Sequence, residues 1–376
     1  MNRIFTKIRN FSAVAAGAAI MSLGLAPVAQ AQLGDAGAIL RSSAADANLI
    51  MKEYLDPLGN SFGAGMNTGW NFQGRPHRTL GFSLAVRAGF AIVPDADLLF
   101  DLADLGLSDN VRLTPGNTIT STFAGPNSNA SIDIMARTTV NGQQIEYALV
   151  ENVSMPDGID FGMIPTAMVQ LNVGLIKDTE IGIRYVPAFE AGDLPELSLF
   201  GVNVKHGLNQ WIPGGGLLPV SIALQGSWST FDLSAGFDVQ PSVNENTTQE
   251  SINQFPASTW DGQKVGIDAT AWNLNAIVGR NLPFIGVYAG LGIESSTFNV
   301  GTPGMYPILV PDPTADNPER NRLDAIDGPI DVSIDGKNSV RALVGLHFSL
   351  GPLKIMGEYT MAEYSSINAG IALSIR

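Results

Sequence analysis

One stretch of the sequence, LPFIGVYAGLGIE (Leu282–Glu294), constrains the fold most because its residues alternate strictly in character. From Ile285 onward every second residue is apolar, and the residues between them are glycines, Tyr288 and Glu294. Side chains of a β-strand point alternately to the two faces of a sheet. The apolar face would contact a protein core in a soluble sheet, or lipid in a membrane barrel.

The same alternation returns along most of the chain, at 79–94, 167–175, 180–189, 218–229, 339–350 and 367–376. Short connections such as 177–179 and 351–352 alternate with long ones such as 238–262 and 301–337. The pattern predicts an all-β, antiparallel, up-and-down transmembrane β-barrel of about 14 strands. The alternative is about 12 strands, because 117–151 can supply two strands or a loop excursion.

The N-terminus has the pattern of an export signal. Three basic residues, Arg3, Lys7 and Arg9, precede an apolar run and the small-residue sequence Ala29-Gln30-Ala31. This arrangement predicts a cleaved signal peptide over 1–31 rather than an anchoring helix. Together with the strands it predicts a protein of the cell outer membrane, organised as the signal peptide, an N-terminal plug or lid over 32–59 and a barrel over 60–376.

Composition excludes several classes of function. The chain has no cysteine, which excludes disulfides, thiol catalysis and thiolate metal sites. Loss of the signal peptide removes three of the 21 basic residues and none of the 35 acidic ones, so 18 basic residues face 35 acidic ones, a net charge of −17. That sign argues against a nucleic-acid partner. The expected partners are outer-membrane lipid and the machinery that assembles barrels.

A short amphipathic helix is predicted over Ser42–Leu58, ended by the sequence Pro57-Leu58-Gly59. Leu49, Ile50, Tyr54 and Leu55 would form its apolar stripe. A helix of this length is marginally stable alone, so it needs a surface on which to dock. The barrel lumen or its periplasmic mouth is the nearest one, with a flexible tether as the alternative.

Three stretches resemble an uncharacterised family of Gram-negative outer-membrane proteins, a domain of unknown function. They are YLDPLGNSFGAGMNTGW (Tyr54–Trp70), VKHGLNQWIPGGGLLP (Val204–Pro219) and the ending YSSINAGIALSIR. The resemblance covers nearly the whole mature chain. A looser likeness links it to the long-chain fatty acid transporters, FadL-like barrels with an N-terminal plug. That likeness implies architecture only and no binding residue.

The inward-facing polar residues are the candidates for a site. Ionisable groups inside a barrel commonly form a salt-bridged network, and less often a selectivity filter. The lumen-lining candidates are Arg87, Arg184, Lys205, Glu294, Arg341, His347 and Glu358.

Enzymatic and metal chemistry have weaker support. His347 and Ser349 share a face of one strand, in an arrangement that resembles outer-membrane phospholipases, but the alternation turns both inward. We therefore expect no catalytic residue, cofactor or resident metal. Six aspartates in 311–336 could attract calcium, although the spacing of an EF-hand is missing.

The leading interpretation is a passive outer-membrane channel or transporter for a small solute, with a hydrophobic solute as one option. The alternative is a closed structural or adhesive surface barrel without transport. An outer-membrane lipid hydrolase is a third, disfavoured interpretation.

Overall fold

Ten strands close into an antiparallel barrel in the computed structural model, which describes residues 44–140, 143–189, 196–236, 239–241, 249–311 and 321–375. Pairing follows chain order around the ring, and the last strand pairs with the first. The barrel strands are β1 (Phe82–Ile92), β7 (Met163–Leu175), β8 (Thr179–Phe189), β9 (Glu196–Gly207), β10 (Ser221–Gly236), β11 (Lys264–Asn281), β12 (Ile285–Gly301), β16 (Val340–Leu350), β17 (Leu353–Met361) and β18 (Ser366–Ile375).

The other elements lie between these strands. A helix, α1 (Ala44–Asn67), precedes the barrel, and a single turn, α2 (Gln249–Ile252), follows β10. Short 3-10 helices occur at Asp95–Asp97, Leu102–Asp104, Asn209–Trp211, Gly215–Leu217 and Ala257–Trp260. The remaining strands are β2 (Leu99–Asp101), β3 (Val111–Leu113), β4 (Ile119–Ser121), β5 (Ser131–Val140), β6 (Gln143–Ser154), β13 (Met305–Pro311), β14 (Asn321–Asp327) and β15 (Asp331–Asp335).

The expected fold class, an all-β antiparallel barrel with a short N-terminal helix, is confirmed, and the closed ring has ten strands rather than about 14 or 12. Residues 68–81 form no strand, β2 pairs with β4, and β3, β5 and β6 form a separate sheet. Likewise β13 and β14 pair only with each other, and β15 continues the pairing of β16 along β12. Alternation identifies a strand but not the sheet that it joins.

The two faces of the barrel wall differ as the alternation predicts. On β12, Leu291 is 68% exposed whereas Tyr288 is 3% exposed. The outward face is a continuous apolar surface far larger than soluble monomers usually expose. Its exposed members include Leu84, Val86, Phe90, Leu171, Ile183, Leu224, Trp228, Trp272, Val278, Val287, Val344, Leu346, Ile355, Ile367 and Ile371.

The barrel has two unlike ends. At the turn end, strands join through 176–178, 208–220, 282–284 and 351–352; at the loop end, they join through longer segments such as 93–162 and 302–339. The longest of these segments carries β2 to β6, and we call residues 94–160 the cap. Its buried core, with Leu102, Ile132 and Ile134, contacts Ala47 and Ile50 of α1.

Helix α1 lies inside the loop-end half of the barrel and is longer than Ser42–Leu58. Pro57 lies within it, and the helix continues to Asn67. A proline inside a helix removes one backbone hydrogen bond, but here the surrounding wall supports the helix. Phe62 contacts the rings of Phe231 and Phe298, with ring centroids 4.7 and 5.7 Å away.

Two glycines let the end of α1 approach the wall closely. A Cβ at Gly63 would lie 2.0 Å from the Oγ of Ser296, and one at Gly65 would lie 2.2 Å from the Cγ2 of Thr166. A side chain at either position would therefore require the side chain of Ser296 or Thr166 to move or to be removed. The close packing of Gly63 and Gly65 against the wall helps explain why the helix continues past Pro57-Leu58-Gly59, a sequence that usually ends a helix.

The chain crosses the lumen from the loop end to the turn end. Near the start of α1, Asn48 accepts a hydrogen bond from the backbone N–H of Asp331 and donates one to the carbonyl of Pro329, both at the loop end. Residues 68–81, the lumen segment, then lead to the start of β1 at the turn end. Within the described residues, no helix is both long and apolar enough to cross a membrane.

Candidate functional site in the barrel lumen

Two arginines from opposite walls hold the C-terminal end of α1. Arg184 of β8 donates to the carbonyls of Met66 at 3.1 Å and Thr68 at 2.8 Å. Arg341 of β16 donates to the carbonyl of Asn67 at 2.9 Å. The last carbonyls of a helix lack intrahelical partners and carry its negative dipole end, so cations are stabilising there. The arginines therefore fix where the helix ends within the lumen.

Each of these arginines has a further buried partner. Arg341 pairs with Glu294 of β12 at 2.7 Å, and both side chains are nearly inaccessible to solvent. The guanidinium of Arg184 lies 3.6 Å from the ring centroid of Trp70 and donates to Gln170. A buried charge is tolerated only when such partners compensate the loss of water.

A carboxylate and a third arginine hold the middle of the lumen segment. Glu358 of β17 accepts from the backbone N–H of Gly69 at 2.9 Å and from the hydroxyl of Tyr288 at 2.7 Å. Arg87 of β1 donates to the carbonyl of Asn71 and to the side chain of Asn368. The segment, which has no regular secondary structure, therefore bonds to the wall instead of to itself.

At the turn end the lumen segment joins a second buried ion cluster. Glu180 of β8 accepts from the backbone N–H of His77 at 2.8 Å, and its Oε2 lies 2.6 Å from Nδ1 of His77. The Nζ of Lys205 lies 3.7 Å from Glu180 and donates to the carbonyl of Gln73 at 3.2 Å. All of these groups are buried.

Amide side chains form much of the remaining inner wall. Asn273 donates to the carbonyl of Asn67, Asn71 donates to Gln225, and Gln225 donates to Asn203. The lumen wall is therefore polar, and its hydrogen bonds are largely made to the chain that fills it. Other buried amides on the wall are Gln170, Asn172, Asn275 and Asn368.

The structure brings all seven candidate lumen residues to the chain inside the barrel. Each bonds to α1 or the lumen segment directly, except Glu294, which acts through Arg341. The seventh, His347, is 2% exposed; its ring faces the backbone carbonyl of Phe72 in the lumen segment, while its Nδ1 has no hydrogen-bond partner. The other six are Arg87, Arg184, Lys205, Glu294, Arg341 and Glu358.

The four residues expected to form the apolar stripe of α1 divide between three environments. Ile50 is buried against the cap, while Tyr54 and Leu55 belong to the large core cluster that includes the barrel wall. Leu49 is 40% exposed. The helix thus contacts the cap as well as the barrel.

The lumen segment is not predicted by the sequence, which assigns all of 60–376 to the barrel. Its Trp70, Asn71 and His77 are all buried. The available signal was the loss of alternation, together with Gly74 and Pro76. Gly74 contacts the wall so closely that a Cβ there would lie 2.5 Å from the Cα of Gly279.

A separate polar cluster joins α1 to the loop end. The Nζ of Lys337 lies 2.8 Å from Asp56 of α1 and 3.0 Å from Asp97 of the cap, and Tyr364 donates to Asp97. Burial alone would lower the pKa of Lys337, but its hydrogen bonds to the two carboxylates outweigh burial and raise that pKa. Burial and the bond to Asp97 raise the pKa of Tyr364.

Among the described residues, those considered for catalysis or metal binding do not assemble into such a site. His347 and Ser349 line one cavity at the turn end, without a carboxylate among its lining residues. Asp324 and Asp327 lie on β14, whereas Asp312 and Asp316 fall outside the described residues. Within the described part of the chain, no group of three histidines or carboxylates is placed to hold a metal ion.

Comparison with models of protein families gives a match over nearly the whole chain. A family model matches residues 8–375, and its description is of a family of unknown function. Among curated proteins, no sequence matches the chain significantly.

Comparison with solved structures gives outer-membrane barrels at low similarity. Ail of Yersinia pestis, solved with the heparin analogue sucrose octasulfate, is 8% identical, with a TM-score of 0.23 and coverage of 78% of this chain and 99% of that one. The NalP translocator domain of Neisseria meningitidis is 9% identical, with a TM-score of 0.27 and coverage of 80% of this chain and 90% of that one. The channel DcaP of Acinetobacter baumannii is 11% identical, with a TM-score of 0.17 and coverage of 78% of this chain and 96% of that one. Such values do not indicate a shared function, and the fold assignment rests on the closed sheet itself.

Proposed function

The chain belongs to the family of unknown function DUF6588, and from the contents of its barrel we propose an outer-membrane protein closed by its own N-terminal segment. The exposed apolar face of the strands supports insertion in lipid. The signal-peptide pattern of 1–31 supports export, and the alternation of short turns with long loops supports an external loop end.

The observation that carries this proposal is the anchoring of the interior chain, which consists of α1 and the lumen segment. Carbonyls and an N–H group between Met66 and Gln73 bond to five buried charged side chains of the wall, contributed by β1, β8, β9, β16 and β17. Removing the segment would leave those charges to be solvated again. We therefore propose a closed barrel, structural or adhesive, that exposes its cap and loops at the cell surface without enzymatic activity.

A passive channel is the second candidate, and the polar wall favours it. If α1 and the lumen segment left together, the wall of amides and charged groups would line a water-filled path. A helix with its side chains is about 10–12 Å across, which sets the width released in the loop-end half. Such a wall suits polar solutes better than the hydrophobic solute considered from the sequence.

Conductance in planar lipid bilayers tests the closed barrel. We expect the full-length protein to give no sustained channel steps. Deletion of residues 33–56 removes only the part of α1 near the cap, so it should also leave the lumen closed. Deletion of 33–77 removes the anchored chain and should produce ion conductance.

The heat-dependent gel mobility of a folded barrel confirms that each deletion variant has assembled. Sustained conductance by the full-length protein would overturn the proposal in favour of the channel. An assembled 33–77 deletion that stays silent would also overturn it, because the interior chain would then not be what closes the lumen.

A further inference from the structure

A cavity of about 150 Å³ lies at the turn end of the lumen. A water molecule occupies roughly 30 Å³ in the liquid, so the cavity admits a small molecule. Arg75 and Arg78 of the lumen segment and Lys354 of β17 line it, together with His347 and Ser349 of β16. Arg75 and Arg78 are exposed, so the cavity is reachable from the turn side.

The cations of this cavity lack carboxylate partners. Among the described residues, no ion pair involves Arg75, Arg78 or Lys354. The neighbouring carboxylate, Glu180, is already bonded by His77 and paired with Lys205. In a mature chain with the net charge of −17 derived above, three unpaired cations around one cavity are a local exception.

The position of the Lys354 ammonium is fixed by its neighbours. Its Nζ donates to Oε1 of Gln73 at 3.1 Å and lies 5.1 Å from the ring centroid of Phe72. An ammonium has three donors, and the bond to Gln73 uses one of them. The remaining donors can serve a ligand in the cavity.

His347 gives an independent indication of a ligand. It is 2% exposed, and its Nδ1 lacks a hydrogen-bond partner. The ring lies directly against Gly286, where a Cβ would be 2.0 Å from its Cε1. Since the other ring nitrogen faces the carbonyl of Phe72, Nδ1 is placed to accept, and a ligand hydroxyl that donates to it would remove the cost of an unsatisfied buried atom.

We propose that this cavity binds a small phosphate-bearing anion that enters from the turn side. Phosphate suits the set of donors because arginine guanidinium groups bond it in bidentate fashion and lysine contributes a point charge. The volume leaves room for a substituent on the phosphate. The site requires the lumen segment to be in place, since Arg75 and Arg78 belong to it, and so it rests on the closed barrel proposed above.

Isothermal titration of the detergent-solubilised protein with inorganic phosphate, at constant ionic strength in chloride buffer, tests this site. We expect saturable binding that Arg75→Gln with Arg78→Gln weakens by about tenfold or more, since the double variant removes two of the three cations that line the cavity. The matched control, Arg112→Gln with Arg322→Gln, removes two exposed arginines outside the cavity and should leave binding unchanged. Both double variants should keep the heat-dependent mobility of the folded barrel.

A second titration separates free phosphate from a lipid headgroup. Dihexanoyl phosphatidylglycerol that binds and is displaced by phosphate would assign the site to lipid headgroups as well, whereas phosphate binding alone would assign it to soluble anions. Lack of saturable phosphate binding, or equal weakening by the control variant, would overturn the proposal.

Discussion

Arg341 shows how a buried charge can specify the position of an entire element. Its guanidinium bonds at once to Glu294 on the neighbouring strand β12 and to the last turn of α1. Burying two charges together brings little net stability, whereas removing one partner leaves the other uncompensated. The same logic applies to Glu180, which both His77 and Lys205 contact. At this scale the interior charges position the N-terminal segment.

Arg341→Met should therefore destabilise the protein by about 3–5 kcal/mol, because Glu294 loses its buried partner. The matched control is Arg322→Met, whose ion pair with Asp324 at 3.8 Å is about half exposed and contributes about 0–1 kcal/mol. Urea unfolding, followed by gel mobility of unheated samples, measures both variants. Similar midpoints for the two would show that the interior pair does not hold α1.

Strand β12 shows how much of an element the sequence alone predicts. A period of two identifies its outward and inward residues, since a one-residue shift would exchange the faces. The sequence therefore predicted both the apolar belt and the inward direction of Glu294. It did not predict that β12 pairs with two consecutive strands, β15 and β16. Residues 336–339 separate β15 from β16, and Lys337 among them bonds to Asp56 of α1.

The outward face of β12 yields a depth-dependent prediction. Leu291→Arg near the middle of the apolar belt should destabilise the barrel by about 2–4 kcal/mol, because lipid cannot solvate the charge. Leu282→Arg, at the turn end and 49% exposed, should cost about 0–1 kcal/mol near the lipid headgroups. Reversible unfolding in lipid vesicles measures both costs. Equal costs would argue against the proposed position in the bilayer.

The contact of Lys337 with Asp56 and Asp97 makes the attachment of α1 sensitive to alkaline pH. The pKa of Lys337 is raised in the folded protein, so its contribution to stability is fully present below the ordinary lysine pKa of about 10.4. That contribution is lost as the pH rises through the raised value. The difference in melting temperature between wild type and Lys337→Met should therefore shrink above about pH 10.4.

The comparison with Lys337→Met separates this lysine from Tyr364, whose raised pKa acts in the same pH range but is present in both proteins. Circular dichroism melts at steps from pH 8 to pH 12 supply the measurement. A difference that stays constant across this range would exclude the ammonium as the stabilising group.

At the scale of the whole molecule, the sequence predicted the barrel but not the path of the chain inside it. The helix was recognised from its period, yet its end was placed near Gly59 because Pro57 and Gly59 are helix terminators in isolation. Wall residues such as Ser296 and Thr166, distant in sequence, decide that the helix continues. The lumen segment has no periodic pattern, so only the closed wall reveals that it is buried.

For the candidate site, the sequence predicted the inward-facing residues but not the groups that they contact. Inward-facing charges follow from alternation, and all seven candidates are buried in the structure. Their partners on α1 and the lumen segment could not be inferred, because Arg184 and Met66 are 118 residues apart in the chain. Contacts over such distances depend on ring closure and on the direction in which the helix enters.

A disulfide across the lumen tests the central claim, that α1 fills the barrel. The natural chain has no cysteine, and a Cβ at Gly65 would lie 3.3 Å from the Cβ of Thr166 on β7, close to the roughly 3.5–4.5 Å of a disulfide. Under mild oxidation, mass spectrometry should detect the crosslinked peptide in Gly65→Cys with Thr166→Cys. It should not detect one in Gly65→Cys with Thr166→Ala and Ala167→Cys, which removes the same threonine side chain but has its second thiol pointing outward. Equal crosslinking in both pairs, or none in the first, would contradict a helix held inside the barrel.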